Sequence, residues 1–321
     1  MTRSKETIAI VMGGTSQEKD ISLKSADNIY HHIDKGKYNA YKVLCIEENH
    51  FQVIQDYQKI PIDNNTFSFS LKDKKISFDK VFMIIHGDPG ENGKLSTYFK
   101  EKKIPYTSSH ETSSNLTFNK FKCNIYLHSK GYIVPQAQSY KSFNNIKYPC
   151  IVKPSCSGSS FGISKVYKEE NLQHAISLAK QHDDEVIIED FINGREITCA
   201  VFNNKNNIET LPLTEIISQN DIFDYDAKYN GKSIEKTPAK IESNIEAEIK
   251  KISKNLYIEL KLRGIVRIDF IINNNTPYII EINTIPGLSK KSIVPQMLKC
   301  ANISIKDFIT VQLDNITQHP D

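Results

Sequence analysis

Arg267-Ile268-Asp269-Phe270-Ile271-Ile272, then Asn273-Asn274-Asn275-Thr276-Pro277, then Tyr278-Ile279-Ile280-Glu281-Ile282-Asn283 is the stretch that decides the fold. Two apolar runs on either side of an Asn- and Pro-bearing turn signal a β-hairpin. With the turn centred near Asn275, Asp269 lies opposite Glu281. Side chains alternate along a strand, and directly opposite residues of an antiparallel pair share a face. Asp269, Glu281 and Asn283 therefore project to one side, and Arg267, two before Asp269, joins them.

Two carboxylates facing each other across a ladder repel. A hard divalent cation relieves that repulsion, and Mg²⁺ prefers one or two carboxylates plus substrate phosphates to a full protein cage. A guanidinium matches the geometry of a phosphoryl oxygen pair, which gives Arg267 a role beside the cation. The competing reading is an amphipathic hairpin whose polar face meets water. The next residues, Thr284-Ile285-Pro286-Gly287, shift the balance, because they close the strand sharply and bring backbone N–H groups toward the same site.

The chain of 321 residues is long enough for two or three compact units. A net charge of +3 with 25% charged residues carries no polybasic signature, so neither nucleic acid nor a membrane surface is an expected partner. Cys45, Cys123, Cys150, Cys156, Cys199 and Cys300 form no CxxC pair, and most sit in apolar runs, as small buried hydrophobes of a reducing compartment. The start, Met1-Thr2-Arg3-Ser4-Lys5-Glu6-Thr7, leads into too short an apolar run for a signal peptide. No apolar stretch approaches the roughly 20 residues of a membrane span. A soluble, cytoplasmic protein is expected.

In chain order, Ile8–Met12 reads as a buried strand, followed by Gly13-Gly14-Thr15-Ser16 and a helix with apolar positions at Ile21, Ala26, Ile29 and Ile33. Strand, glycine turn and helix open an α/β layer, in which ligands gather at the carboxyl ends of strands. Tyr41–Ile46 is a second strand, and Lys80–Ile85 a third, delivering His86-Gly87-Asp88-Pro89-Gly90-Glu91-Asn92-Gly93 to the same edge. Residues 50–78 read as a lid or a decorated hairpin. There is no GxGxxG, so this is not a dinucleotide domain. Glu18, at the helix start, is explained by the helix dipole alone. His86 is either a backbone-bonded turn histidine or a ligand.

A helix is expected over about 115–129, with Lys120 on it. The strand Tyr148–Pro154 carries Lys153 inside an apolar run, where lysine seldom sits unpaired. Ser155-Cys156-Ser157-Gly158-Ser159-Ser160-Phe161-Gly162 follows, then the strand Ile163–Tyr167. Small residues there aim N–H and hydroxyl donors at phosphate. The loop lacks a GK[ST] ending and a following helix, so it is a strand–loop–strand flap rather than a Walker loop. Further on come a helix at Glu169–Gln181 and strands at Glu185–Ile192, Ile197–Phe202 and Leu211–Ile217. The acids Glu189 and Glu196 flank a turn. A long polar loop over 218–240 has the length of a functional loop. Helices over 243–262, 292–300 and 304–315 complete the chain.

Gly13-Gly14-Thr15-Ser16-Gln17-Glu18, His86-Gly87 with Gly90-Glu91-Asn92-Gly93, Lys153-Pro154 with Gly158–Gly162, Asp224-Tyr225-Asp226-Ala227-Lys228-Tyr229, Arg267-Ile268-Asp269 and Glu281–Gly287 together resemble the D-alanine–D-alanine ligases of the ATP-grasp superfamily. Each motif is weak alone; six in order along nearly the whole chain are specific. The resemblance implies an α/β ATP-grasp fold: an N-terminal doubly wound domain over 1–114, a central domain over 115–195 and a C-terminal domain over 196–321, the last two being α+β and clasping ATP. It implies that Glu18 binds the amino group of the first D-alanine beside His86, and that Ser159 and Tyr229 tie Glu18 to the mobile loop. Lys120 and Lys153 would hold ATP phosphates, and Glu189 and Glu196 adenine-side groups and ribose. Ser160, Phe191, Ile192 and Lys228 complete the implied ATP site. Asp269, Glu281 and Asn283 would carry Mg²⁺ or Mn²⁺, two ions per site. Arg267 and the Gly287 N–H would stabilise the tetrahedral centre, and Ser292 would bind the carboxylate of the second D-alanine. A homodimer is also implied.

The chain departs from the family pattern at Asn119, where Asp is common, at Ser96, where glutamine is common, and at Ser109-His110-Glu111 and Ser155-Cys156-Ser157. Rival readings are D-alanyl-D-serine or D-alanyl-D-lactate synthesis, another ATP-grasp acid–amine ligase, and a non-catalytic nucleotide-binding module. Asp226-Ala227-Lys228-Tyr229 favours the dipeptide over the depsipeptide, whereas a pocket rejects the added hydroxyl of D-serine only weakly.

Overall fold

The computed structural model describes residues 5–158, 160–218 and 233–316. Strand Glu6–Gly13 pairs in parallel with Tyr38–Glu47 on one side and Lys80–Met83 on the other. The runs Ile8–Gly13 and Val81–Met83 are buried on both faces, as the centre of a parallel layer requires, while Tyr38–Glu47 is buried at Tyr38, Val43 and Cys45. Helix Lys19–His32 covers the sheet with Ala26 and Ile29. Gly13 ends the first strand at φ +98°, where a Cβ would stand 2.8 Å from the Cys45 carbonyl oxygen. Only glycine permits that crossing.

Of the two readings of residues 50–78, the hairpin holds and the lid does not. His50–Gln55 and Gln58–Pro61 extend the sheet antiparallel, and Ser68–Leu71 pairs with Lys74–Ser77 in a separate hairpin. The aromatics hidden in this polar stretch explain the difference. Phe51, Phe67, Phe69 and Phe78 are buried together, Phe51 and Phe67 meeting edge-on at 5.3 Å between ring centroids.

The second sheet is antiparallel, in the order Ser164–Val166, Cys150–Pro154, Val186–Asp190, Ala137–Ser139. The third runs Ser233–Lys236, Thr214–Ser218, Arg195–Asn204, Ile265–Asn273, Thr276–Asn283, with Asn207–Thr210 paired on Arg195–Asn204. Helix Ser243–Glu259 packs Ile245, Ile249 and Leu256 against that sheet. The strands 137–139 and 207–210, and the helix Lys94–Glu101, have no counterpart in the sequence reading. The expected loop over 218–240 is shorter than read, since Ser233–Lys236 pairs back onto Thr214–Ser218.

The single helix expected over 115–129 is two, Glu111–Phe118 and Lys120–Ser129. Asn119 breaks them with an extended backbone (ψ 98°) and caps the second by accepting from the Lys122 N–H at 2.9 Å. Lys120 is thus at a helix start and turned inward. At the chain's end, helices Ile293–Cys300 and Ile305–Asp314 return to the core of the first sheet through Leu298, Phe308, Ile309 and Leu313. Asn28 donates to the Leu288 carbonyl at 2.7 Å, fixing helix Lys19–His32 against the turn after the hairpin.

Candidate active site

The hairpin turns through Asn274 and Asn275, both in the left-handed region (φ 46° and 62°), with Asn273 opposite Thr276. Counted straight back from this turn, Asp269 would oppose Ile280, and Glu281 would point to the other face. A bulge between the Phe270–Ile279 and Asp269–Glu281 pairs corrects the register. Asp269 then faces Glu281, and Arg267 faces Asn283. The expected pairing holds, through a bulge and not through the turn position.

Asp269 is buried and fully engaged. Arg267 donates to it twice, Nε to Oδ1 at 2.9 Å and Nη2 to Oδ2 at 2.8 Å. Thr198, directly opposite on the neighbouring strand, donates to Oδ1 at 2.6 Å, and the Asn283 amide donates to Oδ2 at 3.0 Å. Glu281 meets Lys120 instead, at 3.3 Å, while Lys120 Nζ also donates to the Ser157 carbonyl at 2.6 Å. Burial works against the Lys120 charge, and the Glu281 carboxylate beside it outweighs that cost, so its pKa stands above the usual lysine value.

Lys120, Arg267, Glu281 and Asn283 line a cavity of about 770 Å³, with Asp269 buried behind them. Glu18, His86, Lys120, Arg267, Glu281, Asn283, Gly287 and Ser292 all reach it. The flap comes down onto Glu18: a Cβ on Gly158 would lie 2.0 Å from its Oε2. His86 is buried, and its Nδ1–H donates to the Ile285 carbonyl at 2.6 Å. That bond fixes the tautomer and leaves Nε2 as a buried acceptor with no hydrogen-bond partner. Burial holds the ring's pKa below its ordinary value, against the pull of the Glu18 charge. Gly287 packs so closely on the following helix start that a Cβ would meet Ser292 Oγ at 2.7 Å, and that hydroxyl lies 2.8 Å from Ser289 Oγ.

A second cluster lies on the central sheet. Lys153 opposes Ile187, so Glu189, two residues on, shares its face. The two form a 2.7 Å ion pair with side chains only 5% and 6% exposed. Phe191 carries the Lys165 ammonium 3.8 Å from its ring centroid. Ser160, Phe191, Ile192 and Glu196 are half-buried. None of these lines the 770 Å³ cavity. Ser159, Lys228 and Tyr229 lie outside the described residues.

Four residues near the site were not assigned from sequence. Glu91 accepts from the Gly87 N–H at 2.9 Å and the Ile285 N–H at 3.1 Å, joining two loops that are distant in the chain. Burial and the Glu18 charge push its pKa up to about 7. An acid inside a glycine-rich loop was the available signal. Thr198 and Lys165 carried no signal beyond strand alternation, and Glu235 was hidden in the segment read as a loop.

Among the described residues, no group of three or more His, Cys, Asp or Glu side chains is placed to hold a metal by itself. The hairpin instead offers two carboxylates and one amide oxygen, with Arg267 and Lys120 alongside. Oxygen-only donors of that number suit a Mg²⁺ or Mn²⁺ ion that takes its remaining ligands from a substrate's phosphates. The residues fit such a cation. No helix among the described residues is long and apolar enough to cross a membrane.

Comparison with known proteins agrees with this geometry. Residues 7–109 match the family model described as D-ala D-ala ligase N-terminus, and residues 125–314 match D-ala D-ala ligase C-terminus. A curated relative from Flavobacterium johnsoniae, named D-alanine--D-alanine ligase, is 43% identical over 95% of this chain and 97% of its own length. The crystal structure of VanG D-Ala:D-Ser ligase from Enterococcus faecalis superposes with a TM-score of 0.84 at 28% identity, covering 97% of this chain and 99% of that one. A Bacillus anthracis D-alanine--D-alanine ligase complexed with ATP shares the fold at a TM-score of 0.77 and 24% identity, covering 96% of each chain.

Proposed function

This chain belongs to the D-alanine–D-alanine ligase family, and from that premise we propose how its residues divide the work. It is an ATP-dependent ligase that joins two D-alanines through a D-alanyl phosphate and supplies D-alanyl-D-alanine for peptidoglycan. The carboxylate of the first D-alanine attacks the γ-phosphate of ATP, ADP leaves, and the amine of the second D-alanine displaces phosphate. Phosphoryl transfer of this kind depends on positioning and charge neutralisation.

The first D-alanine rests with its ammonium on Glu18 and its body beside His86, which lines the same cavity. Lys120 and Lys153 hold ATP phosphates, and Glu189, Phe191, Ile192, Glu196 and Ser160 enclose the nucleotide on the central sheet, with Lys228 contributing from the loop. Glu189 must then release Lys153 to the nucleotide, since the two are paired at 2.7 Å. Asp269, Glu281 and Asn283 hold the divalent cation, Mg²⁺ or Mn²⁺, two ions per site, which when bound neutralises charge building on the phosphates. Arg267 and the Gly287 N–H hold the oxyanion of the tetrahedral centre. Ser292 takes the carboxylate of the second D-alanine. Ser159 and Tyr229 link Glu18 to the loop over 218–240, and exclusion of water there protects an acyl phosphate from hydrolysis. The domains run over 1–114, 115–195 and 196–321, and the enzyme works in the cytoplasm as a homodimer.

One observation carries this reading. Glu18 from the first helix, Lys120 and the flap glycine from the central part, and Arg267, Glu281 and Ser292 from the third sheet and its sequel converge on one cavity. The test is Mg²⁺-dependent phosphate release from ATP with D-alanine alone, and with D-alanine plus D-serine or D-lactate, with products identified by mass. D-alanine alone should suffice and give D-alanyl-D-alanine. Release only with a mixed pair would reassign the second substrate, and no release with any D-amino acid would overturn the reading.

A further inference from the structure

The division of labour above leaves one chemical requirement unassigned. An amino acid arrives with an ammonium group, and an ammonium has no lone pair with which to attack an acyl phosphate. Some group must take its first proton. Under that reading Glu18 is committed to the first substrate, and Asp269 and Glu281 to the divalent cation. Four further acids line the cavity: Asp20 lies in the first turn of helix Lys19–His32, Asp27 pairs with Lys42, and Glu91 holds the Gly87 and Ile285 N–H groups, whereas Glu235 is tied through Gln296 to the helix that follows Ser292.

Glu235 stands on the short edge strand Ser233–Lys236, three residues after the segment outside the described residues. Its carboxylate is half-buried. Its only hydrogen bond among the described residues comes from the Gln296 side-chain amide to Oε2. Gln296 is four residues beyond Ser292 on helix Ile293–Cys300, so the two side chains lie one turn apart on the same face. At about 5–6 Å between neighbouring Cβ atoms, that spacing suits one amino acid laid along the helix, its carboxylate at Ser292 and its ammonium toward the acid held by Gln296. Arg267 is the charged group that faces Glu235. Burial pushes the carboxyl's pKa up, and the Gln296 bond and the Arg267 charge oppose this. A carboxylate made more basic by burial is a better proton acceptor at neutral pH.

We propose that Glu235 receives the ammonium of the acceptor amino acid and removes its first proton, with Gln296 positioning the carboxylate. This rests on the ligase reading above. The acceptor –NH₃⁺ passes one proton to Glu235, leaving –NH₂. The nitrogen lone pair attacks the acyl carbon of D-alanyl phosphate, and the oxyanion collapses with cleavage of the acyl C–O bond. Phosphate departs with that electron pair and takes the second nitrogen proton, leaving the neutral peptide bond. Glu235 then returns its proton to solvent.

The test separates the two half-reactions by the nucleophile offered. Hydroxylamine attacks as a neutral amine and needs no base, so it captures the acyl phosphate as a hydroxamate without Glu235. With ATP, Mg²⁺ and D-alanine, Glu235→Gln should retain hydroxamate formation within a few-fold while dipeptide formation falls about 100-fold or more. Gln296→Met should keep the carboxylate but misplace it, raising the KM of the acceptor more than that of the donor. Equal losses of hydroxamate and dipeptide in Glu235→Gln would make the residue structural and overturn the proposal, as would a near-normal dipeptide rate. A wild-type protein that forms neither product would instead overturn the ligase reading, which keeps the two failures apart.

Discussion

The hairpin Ile265–Asn283 and the central strands Cys150–Pro154 and Val186–Asp190 meet the same physical problem differently. Each must keep charged side chains in an apolar sheet. On the central strands one lysine and one glutamate close on each other at 2.7 Å, nearly out of solvent. On the hairpin two acids face each other, and they are neutralised separately, Asp269 by Arg267 of its own strand and Glu281 by Lys120 at the start of helix Lys120–Ser129. A buried pair that satisfies itself contributes through the penalty for breaking it. A cluster at a cavity wall, assembled from separate elements, is able to exchange partners when a substrate arrives. The difference is one of position: the pair closed on itself lies away from the cavity, whereas Arg267, Glu281 and Lys120 line it.

If that contrast is right, variants of the two regions fail in different ways. The largest effect belongs to Arg267→Met, which should lower kcat about 100- to 1,000-fold, the range seen when one oxyanion donor is removed. A rate within a few-fold of the parent would remove Arg267 from the chemistry. Lys153→Met should act first on stability. It leaves Glu189 buried without its cation, at a cost of about 3–5 kcal/mol, and the double replacement Lys153→Met with Glu189→Leu should recover most of it. Chemical denaturation of the single and double variants measures this, and an unchanged single variant would mean the pair is not closed in solution.

The smallest effect concerns Glu91, which joins the Gly87 loop to the turn at Ile285. Its pKa is raised in the folded state to about 7 from an ordinary value of 4.5. The folded protein therefore binds more protons than the unfolded chain between those values, and stability must fall as pH rises through that window. Thermal unfolding from pH 4.5 to 7 should show this loss in the parent and a flatter profile in Glu91→Gln. Identical profiles would place the Glu91 carboxyl in contact with water.

The parallel strands, the opening helix and the shared face of Asp269, Glu281 and Asn283 were legible because apolar periodicity and turn residues report local structure directly. For residues 50–78 the same rules left a lid and a hairpin both open, because polar spacing concealed Phe51, Phe67 and Phe78, which are buried against one another and against Tyr98 and Phe99. They also missed the break at Asn119, which is set by contacts across the fold. Asn119 donates to Glu185 at 2.7 Å, where an aspartate would set two carboxylates together, and it accepts from Ser155 Oγ at 3.1 Å. Ser96 likewise donates to the Ser109 carbonyl at 2.9 Å. The departures from the family pattern thus come in compensating pairs, visible only once the chain is folded. The hairpin register shows the same limit, since no residue type announces the bulge that aligns Asp269 with Glu281.

Under the proposed function, the polar face of the hairpin is where a divalent cation and the nucleotide's phosphates meet. The most direct measurement is Mn²⁺ binding by electron paramagnetic resonance, with a non-hydrolysable ATP analogue present, in the parent protein and in Glu281→Gln. Glu281 is partly exposed and Lys120 keeps its Ser157 partner, so the variant should fold as the parent does. Nucleotide-dependent Mn²⁺ binding is expected in the parent, with a loss of about 10- to 100-fold or more in affinity in the variant, a range that even ligand-supporting groups reach. Equal Mn²⁺ affinity in the two proteins would contradict it and move the cation off the hairpin.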